Sequence, residues 1–139
     1  MKIEISNEYA KLDIDMIFNF LNVEARWCHG IPRDTVEKAL KNSLCFGAFF
    51  NGSQIGFARM VTDYTTFGNL VDVFVLPEYR GKGVSKQLML AVGAHPELQG
   101  LRRIMLATSD KQSMYAKYGF KSLGWPEIFM ELFDAEVYL

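Results

Sequence analysis

The chain is poor in the residues that ligate metals or cross-link a fold. Two cysteines and two histidines are all that its 139 residues provide. Cys28 and Cys45 have no CxxC spacing and no neighbouring histidine pattern, which excludes a zinc site and a dithiol redox motif. They read as two reduced thiols, and no metal is expected. There is little net charge, −1 at neutral pH, so a polyanionic partner such as nucleic acid is not expected. There is no run approaching the ~20 apolar residues of a membrane span. Glu4 and Glu8 interrupt the first residues, so a secretory leader is not expected either. Repeats, low-complexity tracts and Pro/Gly/Ser linkers are absent as well. Together these absences leave one soluble, cytoplasmic domain over residues 1–139.

What is present is an apolar half of the composition, patterned with two periods. Ile3 and Ile5 alternate as a short strand. Ile14, Ile17, Phe18 and Leu21 recur at helical spacing over Asp13 to Asn22, with Asp13 as the cap. Pro32 to Asn42 forms a second helix, with Pro at an allowed early position. Two strand-like runs, Cys45–Phe50 and Gln54–Thr62, flank Asn51-Gly52, a strong hairpin signal. Leu70–Leu76 is a β-branched strand, Gly83–Gly93 an amphipathic helix, and 103–108 a short buried strand. Lys111–Tyr118 reads as a helix closed by Gly119. Phe120–Leu123 and Ile128–Phe133 read as a final pair of strands. This order implies an α/β fold with a mixed sheet and helices on both faces.

The sharpest local feature is Val73-Phe74-Val75-Leu76-Pro77-Glu78-Tyr79-Arg80-Gly81-Lys82-Gly83-Val84-Ser85. A hydrophobic strand ends, glycines follow at two-residue spacing, and a helix begins at once. Glycine brings backbone close to a ligand and takes positive φ without penalty. The free N–H groups of a first helical turn attract an anion, and Arg80, Lys82 and Lys86 add positive charge. A Walker loop would need four residues between its glycines. A dinucleotide turn would need a third glycine where Lys86 stands. The segment therefore reads as a phosphate cradle of another kind, with a solvated β–α turn as the alternative.

Arg80-Gly81-Lys82-Gly83-Val84-Ser85 resembles the Gln/Arg-x-x-Gly-x-Gly/Ala signature of the GNAT acyltransferases, with Ser85 in place of the final small residue. Tyr115-Ala116-Lys117-Tyr118-Gly119-Phe120 is similar to the same family's Tyr-x-x-x-Gly-Phe, and the two motifs with their flanks span most of residues 45 to 133. The resemblance implies a sheet splayed between its fourth and fifth strands, with acyl-CoA inserted there. It implies that Val73, Phe74 and Val75 pair with the pantetheine arm, and that Arg80, Gly81, Lys82, Gly83, Val84 and Ser85 hold the pyrophosphate. Tyr115 is then the general acid that protonates the departing thiolate, against the alternative of an ordinary packing aromatic.

The general base is open. Asp72 stands in an otherwise apolar strand, where a carboxylate is expensive to bury without purpose; it is a base, a hydrogen-bond acceptor for a neighbouring loop, or solvent-facing. His29 is a second candidate, with a structural role as its alternative. Acceptor contacts are expected from Trp27, His29, Asp63 and Tyr64, with Asp63 or Glu24 pairing with an ammonium. The leading expectation is an acetyl-CoA-dependent N-acetyltransferase acting on a small amine. A protein N-terminal or lysine acetyltransferase and a non-catalytic acyl-CoA sensor are the alternatives. Ile128–Phe133 and Val137-Tyr138-Leu139 either pair with a second subunit as a homodimer or close the sheet of a monomer.

Overall fold

Asn51 and Gly52 turn the chain with positive φ at both residues, 51° and 81°, as a tight hairpin requires. The computed structural model describes residues 1–139. The strands are β1 (Glu4–Ser6), β2 (Leu44–Phe50), β3 (Ser53–Thr62), β4 (Phe67–Val75) and β5 (Arg103–Leu106). The helices are α1 (Ile14–Asn19), α2 (Arg33–Lys41), α3 (Val84–Ala94) and α4 (Gln112–Ala116). The sheet order is β1-β2-β3-β4-β5, antiparallel except for the parallel β4–β5 pair.

Alternating side chains divide the apolar residues between the two faces of the sheet. On one face Phe46, Ala48, Ile55 and Leu70 pack with Val84, Leu88 and Val92 of α3 and with Tyr115 of α4. On the other, Cys45, Phe57 and Phe74 pack with Ile17 of α1 and Val36 and Leu40 of α2. The Phe74 ring stacks on Phe20 with centroids 3.9 Å apart. The mixed sheet with helices on both faces is thus as the sequence implies.

Asp13 caps α1 as expected, its carboxylate accepting from the Met16 N–H at 3.1 Å. The α-helix nevertheless ends at Asn19, and Phe20–Glu24 widens into a π turn closed by the Ala25 N–H on the Phe20 carbonyl. Such turns are a common way to re-aim side chains at a functional surface.

Opposite the single residue Ala58 of β3, β4 carries two, Asp72 and Val73. This is a β-bulge, and Asp72 takes the left-handed conformation at φ 56°. A bulge bends its strand and increases the local twist. The parallel pairing runs from Phe67↔Arg103 to Leu70↔Leu106 and stops there, two residues before Asp72. From that point β4 and β5 diverge.

The expected final strands are absent. Phe120–Leu123 and Ile128–Phe133 form no sheet pairing, and only a short 3-10 turn at Pro126–Ile128 is regular. Their apolar and aromatic residues suit a strand, but no β partner within the chain receives them.

Candidate active site

The divergence of β4 from β5 opens a cavity of about 740 Å³. One wall is the second half of β4, the loop after it and the first turn of α3: Val73, Phe74, Val75, Tyr79, Arg80, Gly81, Gly83, Val84 and Ser85. Leu76 donates its N–H to Ile55 on the β3 side, so alternation turns the N–H and carbonyl of Val75 to the open edge. The Val75 carbonyl there accepts from Arg80 Nε at 3.0 Å, leaving its N–H unpaired. Gly81 and Gly83 have φ of 74° and 85°, with open space where a Cβ would stand. Conformation, not crowding, is what requires glycine at these two positions. Gly83 caps α3, an eleven-residue helix whose first turn lines the cavity; the free N–H groups of such a turn favour an anion. Lys82 is exposed and outside the lining.

A second wall is Ser109, Asp110, Lys111, Met114 and Tyr115. Tyr115 is 9% exposed, with its ring edge-on to Phe120 at 6.0 Å. Its hydroxyl has no hydrogen-bond partner in the protein, yet it is not among buried unsatisfied atoms, of which there are none. The hydroxyl therefore meets the cavity. Burial raises its pKa above the ordinary phenol value, which keeps it protonated and able to donate.

The third wall is Phe20, Glu24, Arg26 and Trp27. Trp27 is held by a chain of contacts from Asp72 of β4, Arg59 of β3 and Ser43 just before β2. Its Nε1–H donates to Asp72 Oδ1 at 2.8 Å, Arg59 Nε donates to Asp72 Oδ2 at 2.9 Å, and Arg59 Nη1 donates to the Ser43 hydroxyl at 3.0 Å. The Asp72 carboxylate is 7% exposed with both oxygens engaged. Its burial is thereby compensated, and the left-handed backbone at the bulge is tied down by the same bonds.

The remaining site candidates lie elsewhere. Asp63 and Tyr64 sit in the turn before β4, at the opposite end of that strand from the glycine loop, and neither lines the cavity. The Asp63 carboxylate accepts from the N–H groups of Thr65, Thr66 and Phe67 and from the Thr66 hydroxyl. Those donors, the hydroxyl first, hold its pKa far below the usual carboxylate range. His29 is exposed and also outside the lining. Burial pushes the Cys28 thiol up to about 12 and the Cys45 thiol to about 11, so neither is a thiolate nucleophile near neutral pH. No group of three His, Cys, Asp or Glu side chains converges as a metal site, and no helix is long and apolar enough to cross a membrane.

Four contributors were not legible from motifs: Arg26, Arg59, Ser109 and Lys111. Arg59 had a signal, since it interrupts an apolar strand as Asp72 does, and the hairpin register sets Arg59 opposite Val71. Arg26 belongs to a loop whose path depends on the π turn.

The Acetyltransferase (GNAT) domain family matches residues 41–122, a stretch that contains both motifs. An acetyltransferase-like protein of Gibberella zeae, FG08082, is 35% identical over 135 residues, covering 81% of this chain and 75% of its own. The crystal structure of a GNAT-family protein from Xanthomonas campestris pv. campestris superposes with a TM-score of 0.97 at 48% identity, over 99% of this chain and 97% of that one. AAC(6')-Iy in complex with CoA-S-monomethyl-acetylneamine shares the fold at 23% identity and a TM-score of 0.63, over 88% of this chain and 92% of its own.

Proposed function

The chain belongs to the GNAT acetyltransferase family, and from that premise we propose that it moves an acetyl group from acetyl-CoA to a primary amine of a small molecule, with both substrates bound together. The observation that carries the reading is the Tyr115 hydroxyl, free of protein partners on the wall of a cavity whose other end is the Gly81–Gly83 cradle. The residues present fit acetyl-CoA. Gly81, Gly83, Val84 and Ser85 would hold the pyrophosphate on backbone N–H groups, and the open edge at Val73–Val75 would pair with the pantetheine amides. The thioester supplies an activated acetyl group. That a related fold holds CoA-S-monomethyl-acetylneamine accords with this use.

As the amine nitrogen bonds to the acetyl carbon and the C–S bond breaks, Tyr115 donates its proton to the departing sulfur. An ordinary phenol near ~10 and a thiol near ~8.5 are close enough for such a transfer, and the burial that raises the Tyr115 pKa keeps its proton in place until charge develops on the sulfur. An unpaired N–H of the β4 edge polarises the carbonyl oxygen. With both thiols held protonated, an acyl-cysteine route is disfavoured, and direct transfer is the reading kept.

The acceptor wall revises the assignment of the base. Both Asp72 oxygens already hold Arg59 and Trp27, so Asp72 is assigned as a positioning residue that fixes the bulge and orients Trp27. Glu24 lines the same wall without an ion-pair or hydrogen-bond partner. We assign it to the acceptor ammonium, whose proton it receives through water. The test is thiol release from acetyl-CoA across a panel of amines. Glu24→Gln should raise the acceptor KM by about tenfold, the loss of one charge-assisted hydrogen bond, and leave the KM for acetyl-CoA unchanged. Tight acetyl-CoA binding without thiol release for any amine would assign the chain as a sensor and end the enzymatic reading.

A further inference from the structure

One charge on the Trp27 wall has no partner and no role in the chemistry above. Arg26 lines the cavity beside Glu24 and Trp27. Neither Arg26 nor Glu24 enters a salt bridge, and the side-chain hydrogen bonds of this segment belong to Asn22, Trp27 and Cys28. The backbone explains why the two charges share a side. Ala25 between them is extended, at φ −77° and ψ 119°, and its side chain is buried at 1% exposure. In extended backbone the residues flanking an inward one turn outward together, with roughly 7 Å between their Cα atoms. A carboxylate and a guanidinium thus stand side by side at the cavity without binding each other.

We infer that the acceptor is an α-amino acid with an apolar side chain. Glu24 takes its ammonium, Arg26 its carboxylate, and the Trp27 indole its side chain. The inference rests on the acetyl-transfer reading given above and names its acceptor class, with Arg26 as the residue that selects it.

Three observations select that class. The first is charge. Glu24 and Arg26 sum to zero, as do the two charges of an amino acid, so each charge meets its opposite. A polyamine or a lysine side chain would bring positive charge to Arg26 with nothing to offset it. An aminoalkyl phosphate would turn a second negative charge toward Glu24. The second is shape, because the planar fork of a guanidinium matches a carboxylate with two parallel N–H···O bonds.

The third is the indole. Trp27 is 54% exposed, yet its Nε1–H is already given to Asp72. What it offers the cavity is ring surface and no donor, which suits an apolar group. Phe20 adds apolar surface on the same wall. The Asp72 bond also holds the ring before the acceptor arrives, so little ordering remains on binding.

The step balances within these groups. The amino acid nitrogen bonds to the acetyl carbon as the C–S bond breaks, giving an N-acetyl amino acid and the CoA thiol. Of the two protons the ammonium loses, one leaves through Glu24 and water. The other restores Tyr115 after it has protonated the sulfur.

The test is thiol release from acetyl-CoA with L-leucine, L-methionine and L-phenylalanine, each paired with its own amide. The reading is the ratio of kcat/KM, acid over amide, in the native chain and in Arg26→Ala and Arg26→Lys. Differences in intrinsic amine reactivity cancel when the same ratio is compared between variants. Arg26 is exposed and unbonded, so both variants should keep their circular dichroism and Tm. The ratio should fall at least tenfold in Arg26→Ala, the loss of one charge-assisted contact, and recover in part in Arg26→Lys. A ratio that does not move overturns the inference and leaves acetyl transfer standing. So does an Arg26→Ala variant that raises the KM for acetyl-CoA at constant ratio, which assigns the guanidinium to the donor phosphates. If no amine releases thiol, the acetyl-transfer reading falls, and calorimetry of the same amino acids against the CoA-saturated chain decides the subsite. Binding that weakens at least tenfold in Arg26→Ala upholds it, and its absence overturns it.

Discussion

Two of the cavity's three walls are built by different means. On the donor wall, thirteen consecutive residues from Val73 to Ser85 contain the open strand edge, the left-handed glycines and the helix N-terminus. On the acceptor wall, one indole is oriented by a carboxylate 45 residues away, which in turn binds a guanidinium 13 residues from itself. On the proposed reading, backbone holds the donor that the family shares, and side chains hold the acceptor. The contrast teaches where each wall is fragile: the first through φ and helix geometry, the second through pairing of buried charge.

Tyr115→Phe should give the largest effect. Removing the proton donor is expected to lower kcat for thiol release by about 100-fold, with acetyl-CoA binding unchanged, since only the hydroxyl is lost. An unchanged kcat would overturn its role and leave Tyr115 as packing against Phe120. Asp72→Asn comes next and strikes the acceptor wall through stability. The Arg59 guanidinium, mostly buried, would lose its counter-charge, at a loss of about 3 kcal/mol read by urea denaturation. If the variant were as stable as the native chain, the two walls would not differ in the way argued.

Gly83→Ala should sharpen the donor side. The left-handed backbone costs a non-glycine residue about 1–2 kcal/mol. With open space around that position, the loop can relax instead of straining the fold. The expected reading is a KM for acetyl-CoA raised about tenfold with Tm nearly unchanged. The smallest effect is expected for Asp63→Asn, outside both walls. The folded carboxyl titrates below its unfolded value, so its stabilising contribution is present above about pH 4 and is lost as pH falls through the folded value. The variant should show a flatter loss of stability below pH 4 and an unchanged rate at neutral pH.

Much of the glycine-loop wall was legible because its determinants are local. The glycines at 81 and 83, the strand before them and the helix after them are each set by neighbours in sequence. Gly119, at φ 94°, likewise ends the Tyr115 segment as its composition suggests. The Trp27 wall was legible only in part. Trp27 was anticipated as a contact and lines the cavity. Asp63 and Tyr64 read as equally apt, yet they lie at the other end of β4.

The sequence by itself determined the family, the mixed sheet, and the glycine loop and tyrosine that come to line one cavity, because φ preferences, helix polarity and apolar period act within a few residues. Only the tertiary structure decided which carboxylate is engaged and which is free. Asp72 is occupied by Arg59 and Trp27, Asp63 by its own turn, and Glu24 by neither. It also decided that Phe120–Leu123 and Ile128–Phe133 are not strands within this chain. A strand exists only where another strand meets its hydrogen bonds, and no propensity carried by a segment can supply that partner.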